Sequence, residues 1–482
     1  MQTKTKLAEG LEITKITTGL WQIADMERNG VLLDPITTSA HMLPYLKNGF
    51  STFDMADHYG SSEIIAGTFK NNLKIKDSVQ LFTKWVPKPG KINRSEVSDA
   101  VQLALDRMQQ SSIDLLQFHA WYYPDPSWLD GLFYLKELKE EGLIKQIGVT
   151  NFDAAHLRIA LASGIPIVSN QVCYSLIDQR ASHKLTEVCK EYDVKLLAFG
   201  TLAGGFLTDK WLGKKEPKDA ELSTWSQMKY KRFIDTSGGW DRYQNLLNVI
   251  KQIADKHQVS IANVASNFIL ENPVVASVII GARLGQSEHI EDNKKTLQFK
   301  LTKEDLTAIK KAQNNLVAIP GDCGDEYRKP PFLTASGDLS DHLETIPKPY
   351  KTKKIAEDKE QVFSGTEWEE FAGYCRAIRA KNTIHVSGTT ATHEHRMIGG
   401  KDAAAQAHFV IDKIEAAIIS LGGTLSDVVR TRIFVNNIDD WEPVARAHGA
   451  RFAGINPANT LVAAKLVGEG YLVEIEAEAI TN

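Results

Sequence analysis

Up to about residue 315 the chain alternates short β-branched runs with amphipathic segments. Eight runs read as strands, at 16–23, 50–56, 79–86, 113–121, 144–151, 165–174, 194–202 and 275–283. Between the third and fourth, Val97, Val101, Leu105 and Met108 recur at helical spacing behind Asn93 and Glu96, a capping-box pair. A further helix is bounded by Ser127 and Gly142, with Leu132, Leu135 and Leu138 on one stripe. Eight strands, each followed by a helical stretch, predict an α/β fold of the (β/α)8 TIM-barrel type rather than a doubly wound sheet.

The pattern breaks at 319–349, IPGDCGDEYRKPPFLTASGDLSDHLETIPKP, which holds five of the 16 prolines. Tyr327, Phe332 and Leu333 are more apolar than a solvated linker needs, so 319–342 is expected to pack back on the barrel and 343–358 to form the connector. Beyond it, strands at 383–387, 428–435, 460–467 and 472–480 and helices at 402–421 and 441–452 predict a small α+β domain. The expected organisation is therefore a barrel unit over 1–342, a linker over 343–358 and a second domain over 359–482.

Composition removes several function classes. A length of 482 residues, roughly three times a typical domain, calls for more than one folded unit. Net charge is −4, and beyond residue 350 there are 15 Lys+Arg against 18 Asp+Glu. Neither part has the basic field that a phosphate backbone would require, so no nucleic-acid partner is expected. Cys173, Cys189, Cys323 and Cys375 show no CxxC spacing and fit a reducing compartment. The first residues, MQTKTKLAEG, lack an apolar signal core, and no run approaches the ~20 apolar residues of a membrane helix. A cytoplasmic location and no membrane partner are the expectation. Neither GxGxxG nor GxxxxGK[ST] occurs, which disfavours Rossmann and P-loop nucleotide sites.

In a barrel enzyme the reacting groups stand where the strands end. The second run ends in FDMADHYG, with Asp54 at its tip and Tyr59 in the loop; the third presents Lys84 in LFTKW; the fourth presents His119 in LLQFHAW. A tyrosine alone is a poor acid, with a reference pKa near 10. An adjacent ammonium favours its phenolate, and an aspartate can hold that ammonium in place. With His119 orienting a carbonyl oxygen, the set suits protonating an alkoxide as a hydride arrives, with no metal required.

Asp54, Tyr59, Lys84 and His119 in this order and spacing resemble the catalytic tetrad of the aldo-keto reductase family, and the likeness extends over about residues 10–342. It implies a TIM barrel binding NADPH, with NADH possible, and reducing an aldehyde or ketone or oxidising the alcohol. Tyr59 would donate the proton. By the same resemblance Thr150 and Asn151 in GVTNF and Gln171 in SNQVCY would hold the nicotinamide carboxamide, and Phe199 would stack where the family usually has tyrosine. In VIIGARLGQSEHIEDN, Gly281, Arg283 and Asn293 would serve the adenosine half, with Arg283 on a 2′-phosphate because a guanidinium fork suits phosphate oxygens.

Residues from about 360 to 482 resemble the reactive-intermediate deaminase (Rid, YjgF, endoribonuclease L-PSP-like) family, through HVSGTTAT, DAAAQAHFVIDKIEAAI, VVRTRIFV and PANTLVAAKLVGEGYLVEIEAEAI. The resemblance implies a chorismate-mutase-like α+β fold that trimerises. Asn459 stands where the family's deaminases place an arginine for the substrate carboxylate, while Glu476 matches the family glutamate that positions water. The expectation is a domain serving trimerisation or small-ligand binding. The pair His393 and His395 reads as a solvated loop rather than a metal site. Three other readings remain open: a bifunctional imine or enamine deaminase and carbonyl reductase, a Schiff-base aldolase using Lys84, and a non-catalytic redox sensor or scaffold.

Overall fold

Eight parallel strands close into a barrel in chain order: Ile16–Gly19, Thr52–Asp54, Gln80–Trp85, Leu115–His119, Ile147–Thr150, Ile167–Cys173, Lys195–Phe199 and Val275–Gly281. The last strand pairs back on the first, Val278 opposite Ile16 and Gly281 opposite Gly19. The computed structural model describes residues 3–328 and 345–481.

Each expected run contains a strand but overshoots it. In the run 16–23 the strand stops at Gly19 and a helix, Trp21–Glu27, begins. The Leu20 amide donates to the Asp54 carbonyl at 2.8 Å, and the chain then turns over the barrel mouth. Ile23 and Ala24 lie on the buried face of that helix, so apolar content alone made its first turn read as strand. The helix Arg94–Met108 is capped as expected: Asn93 Oδ1 accepts the Glu96 amide at 3.0 Å, and Val97, Val101, Leu105 and Met108 form its buried stripe.

A hairpin that the sequence pattern did not announce, Lys4–Ala8 with Leu11–Thr14, covers the N-terminal end of the barrel. Its Leu7, Leu11 and Ile13 pack on Phe82, Leu115, Leu197 and Ala276, each contributing on the order of 2 kcal/mol of burial. The other end, where the strands finish, is left as the open mouth.

The C-terminal domain is a seven-stranded sheet in the order Thr352–Ala356, Lys359–Val362, Ala377–Ala380, Thr383–Thr390, Val473–Ile480, Val428–Val435 and Ala458–Ala463. Helices Ala403–Ser420 and Trp441–Arg451 pack together, and the longer one lies on the sheet. Alternation decides the faces: Val473, Ile475, Ala477 and Ala479 are buried, while Glu474, Glu476 and Glu478 are only half-buried. The sheet begins inside the segment expected as connector. Every residue of Thr352–Ala356 is exposed, so that strand carries no apolar alternation to read.

The two domains meet along helix Ala154–Ala162 of the barrel and helix Ala403–Ser420. Asp402, the N-cap of the second helix, accepts Arg158 Nε and the Tyr192 hydroxyl, each at 2.7 Å. The Gly399 amide donates to Ser163 Oγ at 2.9 Å. Next to it, a Cβ on Gly400 would stand 2.5 Å from the Ala162 carbonyl oxygen, which explains a glycine at this contact.

His393 does not sit in a solvated loop. Its Nε2 is 2.9 Å from Asp130 of the barrel helix Ser127–Glu140, and the Arg396 guanidinium lies 4.6 Å from the Phe133 ring. Domain docking, which no local pattern encodes, is the reason.

Of the segment expected to return to the barrel, 319–328 does so: Ile319 and Cys323 are buried, and Arg180 Nη1 donates to the Asp322 carbonyl at 2.8 Å. Phe332 and Leu333 lie outside the described residues. Among the described residues no helix is long and apolar enough to cross a membrane.

Candidate active site

At the open mouth the strand ends surround a cavity of about 670 Å³. Asp54, Lys84, His119, Thr150 and Gln171 reach it from strands two to six, and Tyr59 reaches it from the loop after strand two. Asn151, Phe199, Gly281, Arg283 and Asn293 line the same space. Every barrel residue singled out from the sequence therefore opens on one cavity.

Asp54 is the hub. Its Oδ2 accepts Lys84 Nζ at 2.7 Å, and its Oδ1 accepts the side-chain amides of Gln171 at 2.7 Å and Gln117 at 3.0 Å. Lys84 also donates to the Met55 carbonyl at 2.8 Å, and its Nζ stands 4.7 Å from the centre of the Tyr59 ring. Burial pulls the Lys84 pKa down, and the Asp54 carboxylate offsets part of that. The result is a desolvated ammonium, fixed by two acceptors and facing a phenol.

His119 is buried, with Nδ1 3.4 Å from the Thr150 carbonyl oxygen. Its ring meets Trp121 edge-on at 4.5 Å and Tyr327 at 5.8 Å. Tyr59 is flanked by Trp21 at 4.9 Å, and Trp21 by Trp225 at 5.8 Å. Aromatic side chains thus wall the space around the phenol and the imidazole. Lys229, 5.5 Å from the Phe199 ring centre, hydrogen-bonds the Tyr327 hydroxyl.

At the tip of strand five, Thr150 Oγ1 donates to the Gln171 carbonyl at 3.0 Å. Asn151 has a φ of +59°, and among the described residues its buried Oδ1 has no hydrogen-bond partner. A buried acceptor left open toward a cavity is costly unless something donates to it. At the far end, Arg283 Nη1 donates to Asp25 Oδ2 at 2.8 Å and Gln22 Oε1 at 3.1 Å.

Comparison with known proteins agrees with this geometry. Residues 15–314 match the model of the aldo/keto reductase family. The chain belongs to the aldo/keto reductase family. Residues 365–481 match a second model, endoribonuclease L-PSP, and form the Rid domain. Among relatives of this aldo-keto reductase, pyridoxal reductase from Arabidopsis thaliana chloroplasts is 27% identical, over 55% of this chain and 74% of its own. Aldo-keto reductase YhdN of Bacillus subtilis is 27% identical over 67% of this chain and 96% of its own. The solved glycerol dehydrogenase of Gluconobacter oxydans shares the barrel fold, with a TM-score of 0.55 at 20% identity over 66% of this chain and 98% of its own.

Sequence reasoning missed several residues that line this aldo-keto reductase cavity or, like Gln117, support Asp54 from behind it. Gln117 was detectable, because it stands two residues before His119 on one strand and so shares its inward face. Trp21, Trp225 and Lys229 come from two helices far apart in sequence, and no local pattern pointed to them; Tyr327 was expected to pack on the barrel but not to line its mouth.

In the Rid domain the two candidates part company. Asn459 is opposite Thr431 and donates to its Oγ1 at 2.8 Å. Glu476 is opposite Arg432 and forms an ion pair with it. Thr431 is fully buried, whereas Arg432 and Glu476 are half-buried. Neighbours in a strand point to opposite faces, so one chain does not bring Asn459 and Glu476 together.

Proposed function

We propose that the barrel reduces an aldehyde or ketone, or oxidises the corresponding alcohol, using NADPH or NADH with Tyr59 as the proton donor. The observation that carries this reading is the convergence of Tyr59, Lys84, Asp54 and His119 on the cavity that Asn151, Phe199 and Arg283 also line. A nicotinamide dinucleotide fits the residues present. The open Asn151 Oδ1 can accept a carboxamide N–H, Phe199 offers a flat ring for stacking, and the Arg283 guanidinium suits a phosphate. When bound, the dinucleotide supplies or takes up the hydride.

The chain's own groups handle the proton and the orientation. His119 orients the carbonyl oxygen toward the Tyr59 hydroxyl. As negative charge grows on that oxygen, Tyr59 hands over its proton, and the Lys84 ammonium stabilises the phenolate left behind. Asp54 keeps Lys84 in place, with Gln117 and Gln171 anchoring Asp54 in turn. Aromatic walls around the phenol limit competing water.

The Rid domain we read as an assembly or small-ligand module. Its Glu476 carboxylate is paired with Arg432, and position 459 carries no positive charge for a carboxylate. Its strand Ala458–Ala463 lies at one edge of the sheet. Sedimentation of the full chain as a trimer would support the assembly role, and a monomer would remove it.

Tyr59→Phe tests the central step. It removes one hydroxyl, so NADPH should still bind while carbonyl reduction falls by about 10² or more, the loss typical of a general acid. Turnover near the unaltered rate would remove Tyr59 from the mechanism.

A further inference from the structure

The loop that presents Asn151 is held from outside the barrel. Asn151 adopts a left-handed backbone, φ +59°, a region that asparagine tolerates better than most residues and that neighbouring hydrogen bonds hold here. Arg328 Nη1 donates to its carbonyl at 2.7 Å, and Asn170 Nδ2 donates to the next carbonyl, that of Phe152, at 2.8 Å. Then comes Asp153, the N-cap of helix Ala154–Ala162. Its Oδ1 accepts the His156 amide at 2.8 Å, and its carboxylate lies 2.7 Å from His156 Nδ1.

His156 connects this cap to the other domain. Its ring stacks flat on Tyr123, centroids 3.4 Å apart and planes within 5°, and the Arg328 guanidinium lies 4.2 Å from that tyrosine ring. On its far side, Nε2 is 3.2 Å from an Asp412 oxygen on helix Ala403–Ser420. Arg451 grips Asp412 from helix Trp441–Arg451 and reaches Glu415 at 2.8 Å. Asp153, His156 and Asp412 are all buried, Asp412 to 1% exposure, and charges at that depth persist only when paired in good geometry. Burial pulls the His156 pKa down, and the two carboxylates more than reverse it, so it lies above the ordinary imidazole value.

We propose that Asp412 is a positioning residue for the reductase: through His156 and Asp153, the C-terminal domain fixes the loop that presents Asn151 to the nicotinamide carboxamide. The inference rests on the reductase reading and adds to it a reason for the two domains to share one chain. A second cross-domain pair, His393 with Asp130, meets the barrel on a different helix, Ser127–Glu140, and makes no hydrogen bond to Asp153 or His156 among the described residues. It supplies a control.

The experiment measures binding of NADPH and of 2′,5′-ADP, which lacks the nicotinamide, to the full chain. Asp412→Asn should weaken NADPH by about 10-fold and leave 2′,5′-ADP within about twofold, a coupling of the size that residues distant from a ligand exert. KM for NADPH should rise while kcat stays within about threefold. Asp412→Glu should recover most of the loss, and His156→Gln, which changes the same contact from the barrel side, should reproduce it even if Asp412→Asn does not fold. His393→Gln should leave both ligands unaffected. Combined with Asn151→Ala, Asp412→Asn should add nothing further, because both act on one contact. Equal weakening of both ligands, or additive loss in the double variant, would overturn the proposal and leave the reductase reading standing. No NADPH binding by the unaltered chain would bring down the reductase reading and this inference with it.

Discussion

In the barrel, Asp54 gathers Lys84, Gln117 and Gln171 at one mouth, and Tyr59 and His119 open on the same space; in the Rid sheet, Asn459 and Glu476 sit two strands apart on opposite faces. The difference follows from topology. Parallel barrel strands all finish at one end, so residues at successive tips converge however far apart they lie in sequence. An open sheet sorts residues by parity, and a site on it needs neighbouring strands in phase, a covering element, or a second copy of the chain. The barrel therefore brings the proposed reacting groups together within one chain, whereas Asn459 and Glu476 stay apart on the Rid sheet.

Four measurements bear on that contrast. The largest effect is expected for Lys84→Met: removing the ammonium leaves the phenolate without its stabilising charge and should cut reduction by about 10², with NADPH still bound. In the unaltered chain, borohydride with a carbonyl substrate should leave Lys84 unlabelled, since its Nζ is committed to Asp54 and Met55. A covalent adduct at Lys84 would instead establish the Schiff-base aldolase and dissolve the contrast as drawn.

Next comes Arg283→Ala. It should weaken NADPH by about 10-fold and NADH by about twofold or less, because only the former has a 2′-phosphate for a charge-assisted pair. Equal loss for both would make Arg283 a structural partner of Asp25, with which it already pairs at 2.8 Å. The smallest effect belongs to the Rid domain. Decay of 2-aminoacrylate, an amino-acid-derived enamine, should run no faster with the full chain than in buffer. Accelerated decay would show that the sheet does complete a site.

The barrel was legible because its strands are largely buried and each carries a short apolar run, and their order and spacing carry over whatever the exact ends. Where an apolar run continued into a helix, as at Trp21–Glu27, periodicity over so few residues did not separate the two. The exposed strand Thr352–Ala356 was invisible for the opposite reason, having no buried face. Candidate reacting groups stood out because strand-end positions name themselves once a barrel is expected. Gln117 was overlooked although its parity with His119 gives it away, and Lys229 and Tyr327 depend on how distant helices fold over the mouth. Asp412 was beyond reach of sequence patterns altogether. It lies in a helix that was expected, but its partner His156 is in the other domain, 256 residues away.

The most direct test follows the hydride. The full chain is incubated with NADPH carrying deuterium at the transferable nicotinamide position and with a panel of aldehydes and ketones, and the alcohols formed are analysed by mass spectrometry. The account requires an alcohol with one deuterium on the former carbonyl carbon, and its near-complete loss in Tyr59→Phe. Tightly bound NADPH with no deuterated alcohol from any member of the panel would contradict it and identify the barrel as a cofactor-holding sensor.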